Sequence, residues 1–281
     1  MEENSKRICL LCKIREANKR NSHILPKFFN DRLFSDGFMY EIDKNGQKRK
    51  IQKSPKEDYI LCDQCENRIA IVETYCSNHF FHAFHNINSN IKFPLKNEIR
   101  GNNCSQLYKE GQYLNPNIFN LFIISLVWRT SISSHKWFSE LDIDEKLKEQ
   151  MRADLNDNLK YSRKEYDNQD CSHKEENDYY SYEIISKQST TKNPEGTLSI
   201  FNIKKHVIML NLVDFSVFFF MNEKASEDFR PILNKKSSKI IKVCISDDKI
   251  WKNIHNEYKS RIIKQLYKKK KISLTLQACL Y

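Results

Sequence analysis

The chain has 281 residues, of which 40% are hydrophobic, and a formal net charge of +11. That length holds one large core or two ordinary ones, so a soluble globular protein is expected. Residues 1–7 lack the apolar core of a secretion leader, which points to a reducing, cytoplasmic setting for the thiols, and the apolar runs Ile118 to Trp128 and Val207 to Met221 are too short or too interrupted (Asn211, Asp214) to span a bilayer, so no membrane partner is expected.

In chain order, Cys9-x-x-Cys12 opens the sequence and is followed by a basic stretch to Ser22-His23-Ile24. Pro26 marks a helix start ahead of Phe28, Phe29, Leu33 and Phe34. Met39 to Ile42 and Arg49 to Gln52 flank Asn45-Gly46, whose residues supply the positive φ angles of a tight turn, and predict a β-hairpin. Cys62-x-x-Cys65 leads into a helical stripe of Ile69, Val72, Cys76, Phe80 and Phe84, ending near His85. Asn115-Pro116 caps an apolar helix that must lie at the centre of a domain, with Trp128 and Arg129 expected to pack and pair inside that middle region. A polar helix follows over 143–159, and 162–178 is charged and poor in aliphatic residues, as a linker or loop would be. The period then becomes two: strands are predicted over 182–185, 198–203, 207–212, 217–221 and 240–245. An amphipathic helix carrying Trp251, Ile254, Tyr258, Ile262 and Leu266 closes the chain, before Lys268 to Lys271.

The two cysteine pairs have the gap that lets both sulfurs of a pair turn onto one ion, and together they complete a tetrahedral four-thiolate set for a structural Zn2+ at Cys9, Cys12, Cys62 and Cys65. Four unrelated buried thiols would fit poorly, because identical gaps recur among only nine cysteines. Glu73, Cys76, His79, His82 and His85 recur every third residue, which drifts around a helix by ~60° per step. Neighbours there could share an ion but the whole set could not, and a partly polar helix flank is the plainer reading. The positive charge invites a polyanion, with residues 1–60 and 235–271 carrying the excess, yet it is mostly Lys accompanied by Asn and Ile, which an AT-rich genome writes whatever the function.

The order Cys-x-x-Cys, Ser22-His23-Ile24 with Pro26-Lys27-Phe28, then Leu61-Cys62-x-x-Cys65-Glu66 at a helix start resembles the zinc-bearing branch of the HNH, or ββα-metal, nuclease superfamily over about residues 7–75. It is similar to bacterial proteins that share the Ser-His-Ile-x-Pro-Lys-Phe segment. The resemblance implies that the cysteines hold the fold while a separate divalent ion, Mg2+ or Mn2+, clamps the scissile phosphate. His23 would be general base, Glu66 the ligand and partner in catalysis, and Asp58 a further ligand, with Asp58 or Asn67 as orienter. Ser22 stands where many relatives carry an acidic ligand, and Glu66 where they carry His or Asn; carboxylates suit Mg2+ or Mn2+, whereas a hydroxyl does not. His23 as a structural histidine stays open beside the catalytic reading. Arg15, Lys19, Arg20 and Lys27 are the phosphate-gripping candidates, with a solvated face as the alternative. No phosphate-cradling glycine loop or Gly-x-Ser-x-Gly turn is present.

The expected architecture is α+β: a zinc-bound HNH-like ββα-metal module over 1–90, a helical region over 91–161, a flexible linker over 162–180, and a mostly antiparallel β-sheet with a C-terminal helix over 181–281. The expected function is metal-dependent cleavage of DNA, in bacterial defence by family analogy, with residues 90–281 meeting substrate or a protein partner. The competing expectation is a non-catalytic, zinc-stabilised protein that binds nucleic acid or another protein.

Overall fold

The computed structural model describes residues 7–33, 39–42, 48–51, 54–84, 86, 89–100, 104–139, 141–167, 178–187, 197–227, 232–247 and 251–252. It is α+β, with a mostly antiparallel sheet and several helices.

The first cysteine knuckle is a tight turn in which Cys9 N–H donates to the Arg15 carbonyl and Lys13 N–H to the Cys9 carbonyl, with Lys13 at φ 55°. Strand β1 (Ser22–His23) follows, then α1 (Phe28–Leu33), the paired strands β2 (Met39–Ile42) and β3 (Lys48–Ile51), and β4 (Lys56–Glu57). The Asn45-Gly46 turn lies outside the described residues, but the strands it was expected to join are paired antiparallel. β1 and β4 form a separate antiparallel ladder, Ser22 opposite Glu57 and His23 opposite Lys56.

Helix α2 (Asp63–Cys76) starts at the second knuckle, with Asp63 and Glu66 in its first turn, where carboxylates complement the helix dipole. It continues through a π-helical turn over Ser77–Phe81 into α3 (His82–Phe84). Next come α4 (Ser89–Lys92), β5 (Leu95–Arg100) and β6 (Cys104–Gly111). The helical region expected over 91–161 therefore contains two strands. Their alternation is blurred by exposed positions such as Leu95, so no clean two-residue period was readable.

Helix α5 (Pro116–Ile132) is capped by Asn115, whose side chain accepts the N–H groups of Asn117 and Ile118. It is buried from Ile118 through Thr130 and packs against α2 and α6 (Glu145–Asn158), the central position its apolar sequence requires. α7 (Arg163–Asp167) occupies the start of the stretch expected to be a linker and buries Tyr166. Residues 168–177 lie outside the described residues.

The remaining strands are β7 (Ser181–Lys187), β8 (Thr197–Lys204), β9 (Val207–Val213), β10 (Phe215–Phe220), then, after α8 (Glu223–Glu227), β11 (Asn234–Lys235) and β12 (Ile241–Ser246). The eight-stranded sheet runs β5-β6-β12-β7-β10-β9-β8, with β11 on β7; β12 pairs β6 antiparallel and β7 parallel. All five strands predicted beyond residue 180 are present. The C-terminal helix is seen only at Trp251 and Lys252; its remainder and Lys268 to Lys271 lie outside the described residues.

One buried core runs from Cys9 to Val243, so the end with the cysteine knuckles and the sheet share their interior. Its densest part is aromatic: Phe80 lies 4.7 Å from Phe119 on α5, 4.8 Å from Phe215 on β10 and 5.0 Å from Phe81, ring centre to ring centre. Phe81 in turn meets Phe28 at 5.1 Å and Phe122 at 5.7 Å. Phe80→Ala is expected to cost about 3–5 kcal/mol, because the rings on three elements cannot all collapse into the space. Chemical denaturation measures it, and a loss below about 1 kcal/mol would show that Phe80 is not the joint. A second apolar cluster, Val207, Met209, Phe218 and Phe220, lies apart from this core and meets Ala225 and Leu233.

Candidate functional site

The Sγ atoms of Cys9, Cys12, Cys62 and Cys65 all lie within 4.8 Å of one another, Cys12 to Cys62 at 4.0 Å, and all four residues are buried. A tetrahedron with Zn–S bonds of about 2.3 Å separates its sulfurs by roughly 3.8 Å, so the set fits a metal ion such as Zn2+. Hydrogen bonding from the Cys65 thiol draws the Cys9 thiol down to about 4, and the same contact with Cys9 raises Cys65. The shared hydrogen bond leaves Cys9 the more acidic of the two, and the thiolate is the form in which thiols bind metal.

The knuckles are anchored from several sides. Lys19 N–H donates to the Leu61 carbonyl and Leu10 N–H to the Ile60 carbonyl, which lays the two cysteine segments side by side. Helix α6 grips the first knuckle: Arg152 donates to the Leu11 carbonyl at 2.6 Å, and Lys13 pairs with Glu149 at 2.8 Å. Arg68 of α2 caps the far end of α6 by donating to the carbonyls of Leu159 and Asn156. Arg15, one of the phosphate-contact candidates, sits beside Tyr161 and the thiols of Cys62 and Cys12, with its basicity raised by the Tyr161 hydroxyl. A guanidinium there complements thiolate charge.

The β1–β4 ladder lies between this anchor and α5. Ser22 is fully buried and its hydroxyl donates to Glu66 Oε2 at 2.7 Å. Successive side chains of a strand point to opposite faces, so His23 projects away from the side on which Ser22 meets α2. Its imidazole is half-buried; burial first, then the positive charges of Lys56, Arg129, Lys27 and Lys19, lowers it to about 4. At neutral pH it carries no proton on one nitrogen and stands among cations.

The His23 carbonyl accepts from Arg129 Nη1 at 2.7 Å, and Arg129 Nη2 is paired with Glu73. Burial raises the Glu73 carboxyl while Arg129 opposes the rise. On β4, Glu57 accepts from the Ser133 hydroxyl at 2.7 Å and from the backbone and hydroxyl of Ser134, at the C-terminal end of α5. Arg129 was expected to pair within the middle region; it reaches into the first segment of the chain. The readable signal was a lone guanidinium at the end of an apolar helix, which demands a buried acceptor.

Asp58 is exposed and accepts the Asn21 N–H at 2.6 Å, holding Asn21 at φ 56°. That is a turn-fixing role. Arg20 stacks over Tyr59, 5.7 Å to the ring centre, and Lys19 lies 3.6 Å from Asp63. Lys27 is exposed. Among the described residues, the four cysteines form the only group of three or more metal-ligating side chains close enough to share an ion. His23, Glu66 and Asp58 are thus not gathered into a ready-made cation site. The three-spaced set on α2 is not gathered either: Cys76 is in the core, Glu73 serves Arg129, His79 stacks on Tyr75 at 4.5 Å, His82 is exposed, and His85 lies outside the described residues. Among the described residues, no helix is long and apolar enough to cross a membrane.

No protein family, curated protein or solved structure matches the chain.

Proposed function

We propose that the protein is a DNA endonuclease of HNH type, with a zinc-stapled ββα-metal module in which His23 is the general base. One observation carries the reading: a neutral, half-buried imidazole on the first strand of a ladder that leads straight into the cysteine-started helix, surrounded by Lys19, Lys27 and Lys56. A base must be unprotonated to accept a proton from water, and the same lysines that keep it so would draw in a phosphodiester. Glu66 would hold a Mg2+ or Mn2+, which supplies stabilisation of the leaving oxygen; such ions are often bound by one or two carboxylates together with substrate phosphates, so a preformed ligand cluster is not required. Ser22 orients Glu66 by its hydrogen bond. Defence against foreign DNA is the role this chemistry suits.

Nicking of supercoiled plasmid with Mg2+, Mn2+ or Ni2+ tests the proposal. As far as His23 governs it, the rate is expected to be flat from pH 6 to 8 and to fall as pH drops towards about 4, where the imidazole takes up its proton. The same group weakens folding over that window: the unfolded chain binds the proton near pH 6.5 and the folded one only near 4, so stability falls as pH falls between them.

The second reading, a non-catalytic nucleic-acid or protein binder stapled by zinc, is favoured by the dispersal of His23, Glu66 and Asp58. Binding without nicking in any metal supports it. Charge reversal of Lys19 and Arg20 is expected to weaken DNA binding and lower the magnitude of the salt slope by about 2, one per lost phosphate contact. Unchanged affinity would remove this face from the interface.

A further inference from the structure

We infer that Arg129 is a positioning residue for His23, its guanidinium fixing the His23 peptide between α2 and α5 so that the imidazole is presented to the lysine face; the catalytic meaning of this rests on the nuclease reading above. The ladder it acts on is two residues long, too short to hold its own orientation. Three of its four members are instead held from outside: Ser22 by Glu66, Glu57 by Ser133 and Ser134, and His23 by Arg129. Pinning the His23 carbonyl fixes the rotation of the strand about its own axis, and with it the direction of the Cα–Cβ bond that carries the ring.

The chemistry of the pin is specific. Arg129 is 1% exposed, and its rigid fork spends three donors in three directions: Nη1 on the His23 carbonyl, Nη2 on Glu73, and Nε on the Ser125 carbonyl at 3.3 Å. An ammonium group cannot reach the same acceptors from one point. A buried ion pair is weak evidence for a stabilising role, since apolar residues of similar volume usually serve stability as well. What a guanidinium adds here is geometry, and an error of about 1 Å in a reacting group can cost roughly 10²-fold in rate.

The test uses the full chain carrying Arg129→Lys, which keeps the charge and loses the fork. The readouts are single-turnover plasmid cleavage, DNA affinity, zinc content and the His23 ring resonances by NMR. Expected are unchanged zinc and affinity, a cleavage rate down by about 10²-fold with KM unmoved, and shifted His23 ring resonances. Wild-type cleavage together with unshifted resonances overturns the inference. If Arg129→Lys does not fold, Glu73→Gln, which keeps the shape and removes the countercharge, is read in the same way: a reduced rate with shifted resonances supports the inference, and no change in either overturns it. If the wild-type protein does not cleave, the nuclease reading fails on its own. The resonances then decide alone, shifted for a positioning Arg129 and unshifted against it.

Discussion

Cys62→Ser protein is expected to emerge without bound metal and with its N-terminal part open to protease. A structural four-cysteine zinc site is associated with apparent binding energies of about 10–16 kcal/mol, which matches or exceeds the whole stability of an ordinary domain. The contacts around residues 7–27 are mostly single hydrogen bonds and ion pairs, such as Lys13 with Glu149 and the backbone bonds to Leu61 and Ile60, and β1 is only two residues long, so a shared ion would be the strongest tie. Loss of one thiolate also leaves the guanidinium of Arg15 beside an incomplete site. Metal analysis of the purified protein, limited proteolysis and a thermal melt provide the check. Variant protein with one equivalent of zinc and a wild-type melt would end the four-cysteine assignment.

His23→Ala is expected to abolish metal-dependent nicking, a loss of about 10²–10⁴-fold, while zinc content and DNA affinity stay close to wild type. On the proposed reading the three properties separate because they rest on different groups: metal on the buried cysteines, affinity on exposed Lys27 and on Lys19 and Arg20, and proton removal on one imidazole. The imidazole is only half-buried and its backbone carbonyl, not its ring, meets Arg129, so truncation leaves the Arg129 contact intact. A variant that nicks at the wild-type rate would falsify the assignment of the base. One that loses zinc as well would reassign His23 to the fold.

Residue spacing made the cysteine set readable, because two identical gaps report a shared ion without knowledge of the path between them. The strands beyond residue 180 were readable for a similar reason: runs such as Val207–Val213 and Phe215–Phe220 are β-branched or aromatic and bounded by turn residues. β5 and β6 were not, since an edge hairpin with Leu95 exposed and Lys96 and Lys109 along it reads as polar chain until a sheet supplies its partner. At the candidate site, sequence pointed to His23 and Glu66. What it did not show is how Glu66 is held: the Ser22 hydroxyl donates to it across 44 positions that no local pattern encodes. Arg129 and Glu73 escaped for the same reason, being 56 positions apart.

The shared interior has a consequence for how such a protein can arise. Val72, Phe80 and Phe81, which follow the second knuckle, are walls of the same room as Phe119, Phe122 and Phe215. A gene fragment ending after α3 would encode a product with one side of its aromatic floor wet, and pasting that fragment into an unrelated host would supply neither Arg129 nor the serines that brace β4. The four-cysteine segment is therefore not a cassette that recombination can pass from protein to protein. It and the helix behind it have to be inherited, and to diverge, together.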